Sequence, residues 1–166
     1  MPSSKKVLIM RHAKSSWSDS SQKDFDRPLN SRGERDAPEM GNYLSGLGIR
    51  PDYVISSPAR RARQTVLLLT ESLGFDESEI HWNEDLYYSG AEAYLEALRN
   101  VPDRADTALI AGHNPSVEEV ISHLSGRRDL VVTTANIACF EITVDAWSNL
   151  EKDVCDFKWL VTPKTI

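Results

Sequence analysis

Two arginines and two histidines of this chain stand after apolar, strand-like segments. Arg11 and His12 follow one such segment directly, Arg61 lies shortly after a second, and His113 follows a third. Guanidinium groups match the geometry of phosphate oxygens, and an imidazole can serve as a nucleophile toward phosphorus. The residue types therefore indicate phosphoryl-group chemistry; the alternative interpretation is that Arg11 and His12 are solvated loop residues.

The segments that precede these residues predict how they would be positioned. Residues 7–10, 53–56 and 107–111 have the apolar character of buried strands in a parallel α/β sheet. The carboxyl ends of such strands share one edge, where the four residues should converge. Ser57-Pro58 and Asn114-Pro115 each predict a helix start, with the polar residue as N-cap and the proline at the first helical position.

The remaining pattern predicts one α/β domain over residues 1–166. A capping box at 31–34 predicts a first helix, which Pro38 should bend, and the polar loop 13–30 before it is expected to line the site or to be mobile. The other predicted elements are a helix ending at Leu73, a short strand at 80–82, a helix at 91–98, a helix after Pro115, and a hairpin of strands at 136–144 and 154–161.

Composition narrows the function classes. A formal net charge of −6 argues against a nucleic-acid partner. The amino terminus precedes too few apolar residues for a signal peptide, and no run approaches transmembrane length, so we expect no membrane association and a cytoplasmic location. Cys139 and Cys155 lack the spacing of a metal site and are expected to be free thiols. The arginines around His12 and His113 would repel a cation, so neither a metal nor a cofactor is expected.

Several common phosphoryl- and acyl-transfer motifs are missing from the sequence. It has no Gly-rich loop followed by Lys-Ser/Thr, no Gly-x-Ser-x-Gly elbow and no cysteine at a predicted strand end. His12 is therefore the candidate nucleophile, and the flanking arginines would disperse the charge of the transferring group.

The ordered set of motifs resembles the histidine phosphatase superfamily, whose catalytic core is two arginines and two histidines. The finer resemblance is to the small SixA-like phosphohistidine phosphatases, and it covers nearly the whole chain. It implies a three-layer α/β/α sandwich with a mostly parallel central sheet, like that of phosphoglycerate mutase. The segments that carry it are Arg11-His12, Arg27-Pro28-Leu29-Asn30 with Gly33, residues 57–65, Gly112-His113-Asn114-Pro115, and residues 133–138.

The resemblance implies a role for each matching residue. His12 would be phosphorylated transiently, and Arg11, Arg61 and His113 would complete the phosphate pocket. Arg27 would contact the substrate or, alternatively, anchor its own loop through a salt bridge. Two positions depart from many superfamily members: Ala13 replaces a glycine, and Ser18, a candidate substrate contact, stands where mutase-like members have an asparagine.

The proton donor for the leaving group is expected at Asp85, with Glu84 as the alternative. The superfamily usually has a glutamate acid in this region. A carboxylic acid that stays protonated near neutral pH needs desolvation or a second negative charge nearby. The alternative is that both are simply solvated loop residues.

The function that the resemblance implies is removal of a phosphoryl group from a protein phosphohistidine, such as that of a histidine phosphotransfer domain, through a phosphohistidine intermediate on His12. One alternative is a broad-specificity phosphatase acting on small phosphate esters at the same site. The other is a phosphate-binding module without catalytic activity. The short chain leaves little room for lid insertions, which permits a protein substrate.

Overall fold

A six-stranded mixed sheet forms the centre of the computed structural model, which describes residues 3–166. The strand order across the sheet is β3-β2-β4-β1-β5-β6, with β1 to β4 mutually parallel and β5 and β6 antiparallel to their neighbours. The strands are β1 (Ser3–Arg11), β2 (Tyr53–Ser56), β3 (Ile80–Trp82), β4 (Thr107–Gly112), β5 (Ile137–Val144) and β6 (Cys155–Val161).

Helices cover both faces of this sheet. Alternate residues of β1 point to opposite sides, as a strand requires: Leu8 and Met10 lie in one buried cluster, and Val7 and Ile9 lie in the other. The first cluster contains residues of α1 and α2, and the second contains residues of α4 and α5. This arrangement confirms the predicted three-layer α/β/α sandwich. The helices are α1 (Ser31–Gly46), α2 (Arg60–Leu73), α3 (Asp85–Tyr88), α4 (Ala91–Arg99) and α5 (Ser116–Ser125).

Two predicted helix starts were wrong, by two residues for α2 and by one residue for α5. Helix α2 begins at Arg60, and the Ser57 hydroxyl accepts a hydrogen bond from the backbone N–H of Ala59 at 3.2 Å before the helix begins. Helix α5 begins at Ser116, and the Asn114 side chain accepts from the backbone N–H of Glu118 at 3.2 Å. Both prolines thus belong to turns that precede the helices, and the polar residues before them lie closer to the sheet edge.

Helix α1 also differs at its start. Asn30, not the predicted Ser31, is the N-cap, and its side chain accepts from the backbone N–H of Gly33 at 2.9 Å. The helix continues through Pro38 to Gly46. The short strand β3 and the antiparallel hairpin of β5 and β6 are present as predicted. Within residues 3–166, every helix is too short or too polar to cross a membrane.

Candidate active site

The register of the parallel strands brings the predicted residues to one edge of the sheet. Arg11 pairs with Gly112 across β1 and β4, so that His12 and His113 emerge side by side from neighbouring strands. The centroids of their rings are 5.2 Å apart. Arg61 lies in the first turn of α2, and the Thr65 hydroxyl donates to its carbonyl at 2.6 Å while accepting from the N–H of Ala13 at 3.0 Å. This threonine links the loop after His12 to the helix that carries Arg61.

His12 is held as a neutral ring with a defined tautomer. Its Nδ1 lies 2.7 Å from the backbone oxygen of Ala13. A carbonyl oxygen can only accept, so Nδ1 carries the proton and Nε2 keeps its lone pair. The side chain is only 6% exposed, and this desolvation lowers the pKa of His12 to about 3, with the neighbouring His113 and Arg61 acting in the same direction. At neutral pH the ring is therefore uncharged, and the lone pair of Nε2 is available as a nucleophile instead of being occupied by the second proton of an imidazolium.

His113 is also neutral near pH 7. Desolvation and the charge of Arg61 lower its pKa to about 4. Its Nε2 lies 2.8 Å from the hydroxyl oxygen of Ser57, and its Nδ1 is buried without a hydrogen-bond partner in residues 3–166. Its backbone N–H donates to the Tyr94 hydroxyl at 3.0 Å, which fixes the position of the residue after β4. A neutral ring held in this way can donate to a phosphoryl oxygen.

Arg61 is paired with a carboxylate that the sequence did not single out. The Arg61 guanidinium donates to the side chain of Asp24 at 3.0 Å and to its backbone oxygen at 2.8 Å. Tyr87 donates its hydroxyl to the same carboxylate at 2.7 Å. Desolvation raises the pKa of Asp24, but the Tyr87 hydrogen bond and the Arg61 charge outweigh it and lower the pKa to about 2. Asp24 is therefore ionised and cannot donate a proton at neutral pH.

Arg11 and Arg27 differ in how many contacts their guanidinium groups make with other residues. Arg11 donates to the backbone oxygen of Val132 at 3.2 Å, and its buried Nε has no partner in residues 3–166. Arg27 donates to the Ser15 hydroxyl, forms an ion pair with Asp24 at 3.3 Å and packs on the Trp17 ring, 3.7 Å from its centroid. The contacts of Arg27 are those of a residue that anchors the loop before α1.

Ser18, Asp85 and Glu84 are exposed, and in the part of the chain that the structure describes none of them is hydrogen-bonded or ion-paired to the four central residues. The Ser18 hydroxyl is hydrogen-bonded to Ser16 within its own loop. Asp85 is the first residue of α3 and lines a separate groove of about 540 Å³ that also contains His81 and Glu96. Within residues 3–166, neither Asp85 nor Glu84 makes a side-chain hydrogen bond or ion pair with Arg11, His12, Arg61 or His113. Tyr87 is the side chain of α3 that approaches the site, with its ring centroid 5.4 Å from that of His113.

The site thus combines two guanidinium groups with two neutral imidazoles. Such a set can bind a phosphate dianion and neutralise the charge that develops on its oxygens. The nucleophile is already deprotonated at Nε2, so attack on phosphorus needs no separate base. The arrangement is suited to phosphoryl transfer at a histidine.

Comparison with known proteins defines the class. The model of the histidine phosphatase superfamily (branch 1) matches residues 7–133, and the chain belongs to this family of metal-independent phosphatases. Among relatives, the phosphohistidine phosphatase SixA of Escherichia coli is 30% identical over 162 residues, which are 95% of this chain and 93% of that protein. An uncharacterised chloroplastic protein of Arabidopsis thaliana is 35% identical over 153 residues, or 87% of this chain and 69% of that protein.

Solved structures give the same fold over the whole chain. A putative phosphohistidine phosphatase SixA from Nakamurella multipartita superposes with a TM-score of 0.84 at 25% identity, covering 98% of this chain and 99% of the other. The protein histidine phosphatase SixA complexed with tungstate superposes with a TM-score of 0.74 at 26% identity, covering 96% and 97%. The resemblance to SixA-like phosphatases that the motifs indicated is therefore confirmed.

Proposed function

We propose that this protein removes the phosphoryl group from a phosphohistidine side chain of another protein, in two steps that pass through a phosphohistidine on His12. The observation that carries the proposal is the state of His12, a buried neutral ring whose Nδ1 donates to Ala13 and whose Nε2 is free. The relatives named as phosphohistidine phosphatases support the choice of substrate.

In the first step, the Nε2 lone pair of His12 forms a bond to phosphorus while the phosphorus–nitrogen bond of the substrate breaks. The substrate phosphohistidine reacts in the form that is protonated on its other ring nitrogen, so the ring takes up that bonding pair and leaves as a neutral imidazole. The ring of His12 becomes an imidazolium, and its Nδ1–H keeps the hydrogen bond to Ala13. Arg11, Arg61 and His113 would stabilise the charge on the phosphoryl oxygens.

In the second step, a water molecule attacks phosphorus and breaks the bond to Nε2, which regenerates neutral His12 and releases inorganic phosphate and a proton. The arginines serve the same purpose in both steps, since the charge develops on the same oxygens.

The carboxylates around the site favour a nitrogen leaving group over an oxygen leaving group. An alkoxide needs a proton as it leaves, whereas the imidazole described above does not. Asp24 is held ionised, and Asp85, the predicted proton donor for the leaving group, is exposed at the start of α3 and makes no side-chain hydrogen bond or ion pair with the four central residues within residues 3–166. Among residues 3–166, the central residues therefore supply a nucleophile and charge stabilisation, and no neutral carboxylic acid is hydrogen-bonded to them.

Trapping the intermediate tests the proposal. A radiolabelled phosphohistidine protein, quenched in alkali during turnover, should leave label on the wild-type chain at His12. The His12→Ala variant should carry no label and lose activity by roughly a thousandfold or more, because no other residue replaces a nucleophile. His123→Ala, a change of the same kind at an exposed residue of α5, is the matched control and should behave as wild type.

The competing functions give different results in the same assay. Turnover of an aryl phosphate and sugar phosphates with little activity on phosphohistidine would identify a small-ester phosphatase. Tight binding of phosphate analogues with no label and no turnover of any donor would identify a binding module. Label that persists in His12→Ala would show that the nucleophile is another residue.

A further inference from the structure

A groove with basic side chains adjoins the phosphate site on the side of β1. It has a volume of about 520 Å³. We call it the basic groove and define it by its four basic residues and two threonine-bearing segments: Arg11, Lys14, Arg32, Lys164, residues 133–134 and residues 162–165. We propose that the basic groove binds acidic side chains beside the phosphorylated residue of a protein substrate, an inference that rests on the proposed phosphoprotein phosphatase activity.

Arg11 belongs to both the phosphate site and the basic groove, so the two are continuous. The segment that contains Thr133 and Thr134 continues into Ala135, whose backbone is hydrogen-bonded to Arg11 and His12. The N–H of Ala135 donates to the carbonyl oxygens of Arg11 and His12 at 3.1 and 3.0 Å. Asn136, fully buried, accepts from the N–H of Thr133 at 2.8 Å and donates to its hydroxyl at 2.8 Å. A ligand in the groove therefore has a defined position relative to a phosphoryl group on His12.

Three of the four basic residues of the groove, Arg11, Lys14 and Lys164, form no ion pair within residues 3–166. None of the residues that line it is acidic. Lys14 and Lys164 are exposed and form no ion pair within residues 3–166, while Arg32 contacts Asp36 at 3.4 Å in its own helix. The two ammonium groups, two guanidinium groups and threonine hydroxyls of the groove are hydrogen-bond donors that suit carboxylates. The groove can therefore accept anionic side chains without losing an existing partner of either lysine.

The negative charge of the rest of the molecule makes an acidic partner favour the basic groove as its binding site. The chain carries a net charge of −6, and the groove next to α3 has acidic residues, Glu84, Asp85 and Glu96, in its lining. An acidic partner is repelled by the net charge of the chain and attracted at the basic groove beside the phosphate site, which orients the encounter. A partner of this chemistry is a phosphoprotein with aspartate or glutamate next to the phosphorylated residue.

Paired peptides test the inference on the full chain. Two peptides carry the same phosphorylated histidine and differ only in flanking Asp residues, which are Asn in the second peptide; both are also made with phosphoserine. Wild-type protein should show a kcat/KM roughly three- to tenfold higher for the acidic peptide, falling toward the amide peptide as salt rises. Lys14→Glu with Lys164→Glu should bring the ratio of acidic to amide peptide to about one or below.

Arg104→Glu with Arg128→Glu is the matched control. Both arginines are exposed, make no ion pair within residues 3–166 and lie outside the basic groove. Because each double variant replaces two basic residues by glutamate, the two have the same net charge. It should keep the wild-type ratio. A ratio near one in wild type, or a ratio that both double variants lower equally, would overturn the inference. If the phosphohistidine forms are not hydrolysed but the phosphoserine forms show the ratio, the basic groove stands and the proposed substrate is wrong.

Discussion

At the residue scale, Asp24 is the feature of the site that most needs explaining. Its carboxylate receives hydrogen bonds from Arg61 and Tyr87 and an ion pair from Arg27, yet a substrate brings two further negative charges to the same guanidinium groups. The side chain of Asp24 is 52% exposed, so the loop that carries it can release the contact at low cost. Asp24 holds Arg61 in place, and we expect it to compete with a bound phosphoryl group for that guanidinium.

The variant Asp24→Asn separates these two effects. It keeps the size of the side chain and removes its charge, so inorganic phosphate should bind more tightly, by roughly three- to tenfold, because like-charge repulsion is lost. Calorimetric titration with phosphate measures the change. Asp19→Asn is the control on the same loop, since within residues 3–166 the Asp19 side chain accepts hydrogen bonds from Ser21 alone. Weaker phosphate binding in Asp24→Asn would show that holding Arg61 in place outweighs the repulsion.

The sequence located four central residues but missed two of their partners, for a physical reason. Arg11, His12, Arg61 and His113 are visible because each follows a strand whose burial and direction the apolar pattern indicates. Asp24 and Ser57 owe their roles to side-chain hydrogen bonds with residues 37 and 56 positions away in the chain. The local sequence pattern contains no signal for hydrogen bonds between residues so far apart in the chain. The Ser57-Pro58 dipeptide also matched the simpler pattern of a helix start.

At the element scale, Tyr94 of α4 links α3 to the residue after β4, His113, by hydrogen bonds of its hydroxyl. Its hydroxyl donates to the carbonyl oxygen of Leu86 in α3 at 2.7 Å and accepts from the N–H of His113 at 3.0 Å. A Cβ on Gly112 would lie 2.0 Å from this hydroxyl oxygen, so the last residue of β4 must be a glycine. Desolvation raises the pKa of Tyr94 to about 12, and the hydroxyl remains a donor throughout the physiological range.

Removing this hydroxyl should affect both stability and activity. Tyr94→Phe leaves the buried carbonyl of Leu86 and the N–H of His113 without their partner, which should cost about 1–3 kcal/mol of unfolding free energy in urea titration. We also expect kcat to fall more than KM rises, because His113 loses its backbone anchor. Tyr43→Phe, at a half-buried tyrosine of α1, should cost less than half as much. Equal losses for the two variants would contradict a special role of Tyr94.

At the scale of the whole molecule, the topology of the sheet explains why the sequence predicts three layers, with polar residues gathered at the carboxyl ends of the parallel strands. Strands β1, β2 and β4 are fully apolar at their centres because helices cover both faces, and this was visible as continuous apolar runs. The sequence predicted a loop over residues 13–30 but not its course, and it did not predict the turn at Ala135, which has a positive φ of 63°, since long-range contacts rather than local preference fix both. The loops at the carboxyl ends of the parallel strands, where the candidate site lies, are therefore the part of the fold that local sequence preferences predict least well.

The two buried histidines make the stability of the whole molecule depend on pH. The pKa of His12 is lowered to about 3 and that of His113 to about 4, whereas an unfolded chain has a histidine pKa near 6.5. Between these values the unfolded state binds more protons, so stability falls as the pH drops below about 6.5. Asp24, with its pKa lowered to about 2, weakens folding further only below about pH 4, outside this window.

From pH 7 to pH 5 the two histidines together should reduce the free energy of unfolding by about 3–4 kcal/mol, because each must stay neutral while its unfolded counterpart becomes charged. Urea titrations in phosphate-free buffers at the two pH values measure the difference. The double variant His12→Asn with His113→Asn cannot take up these protons and should lose most of the dependence, whereas His81→Asn with His123→Asn, at exposed positions, should retain it. If the first double variant kept the full wild-type slope, the buried rings could not be the groups that titrate, and His12 would not be held as a neutral nucleophile.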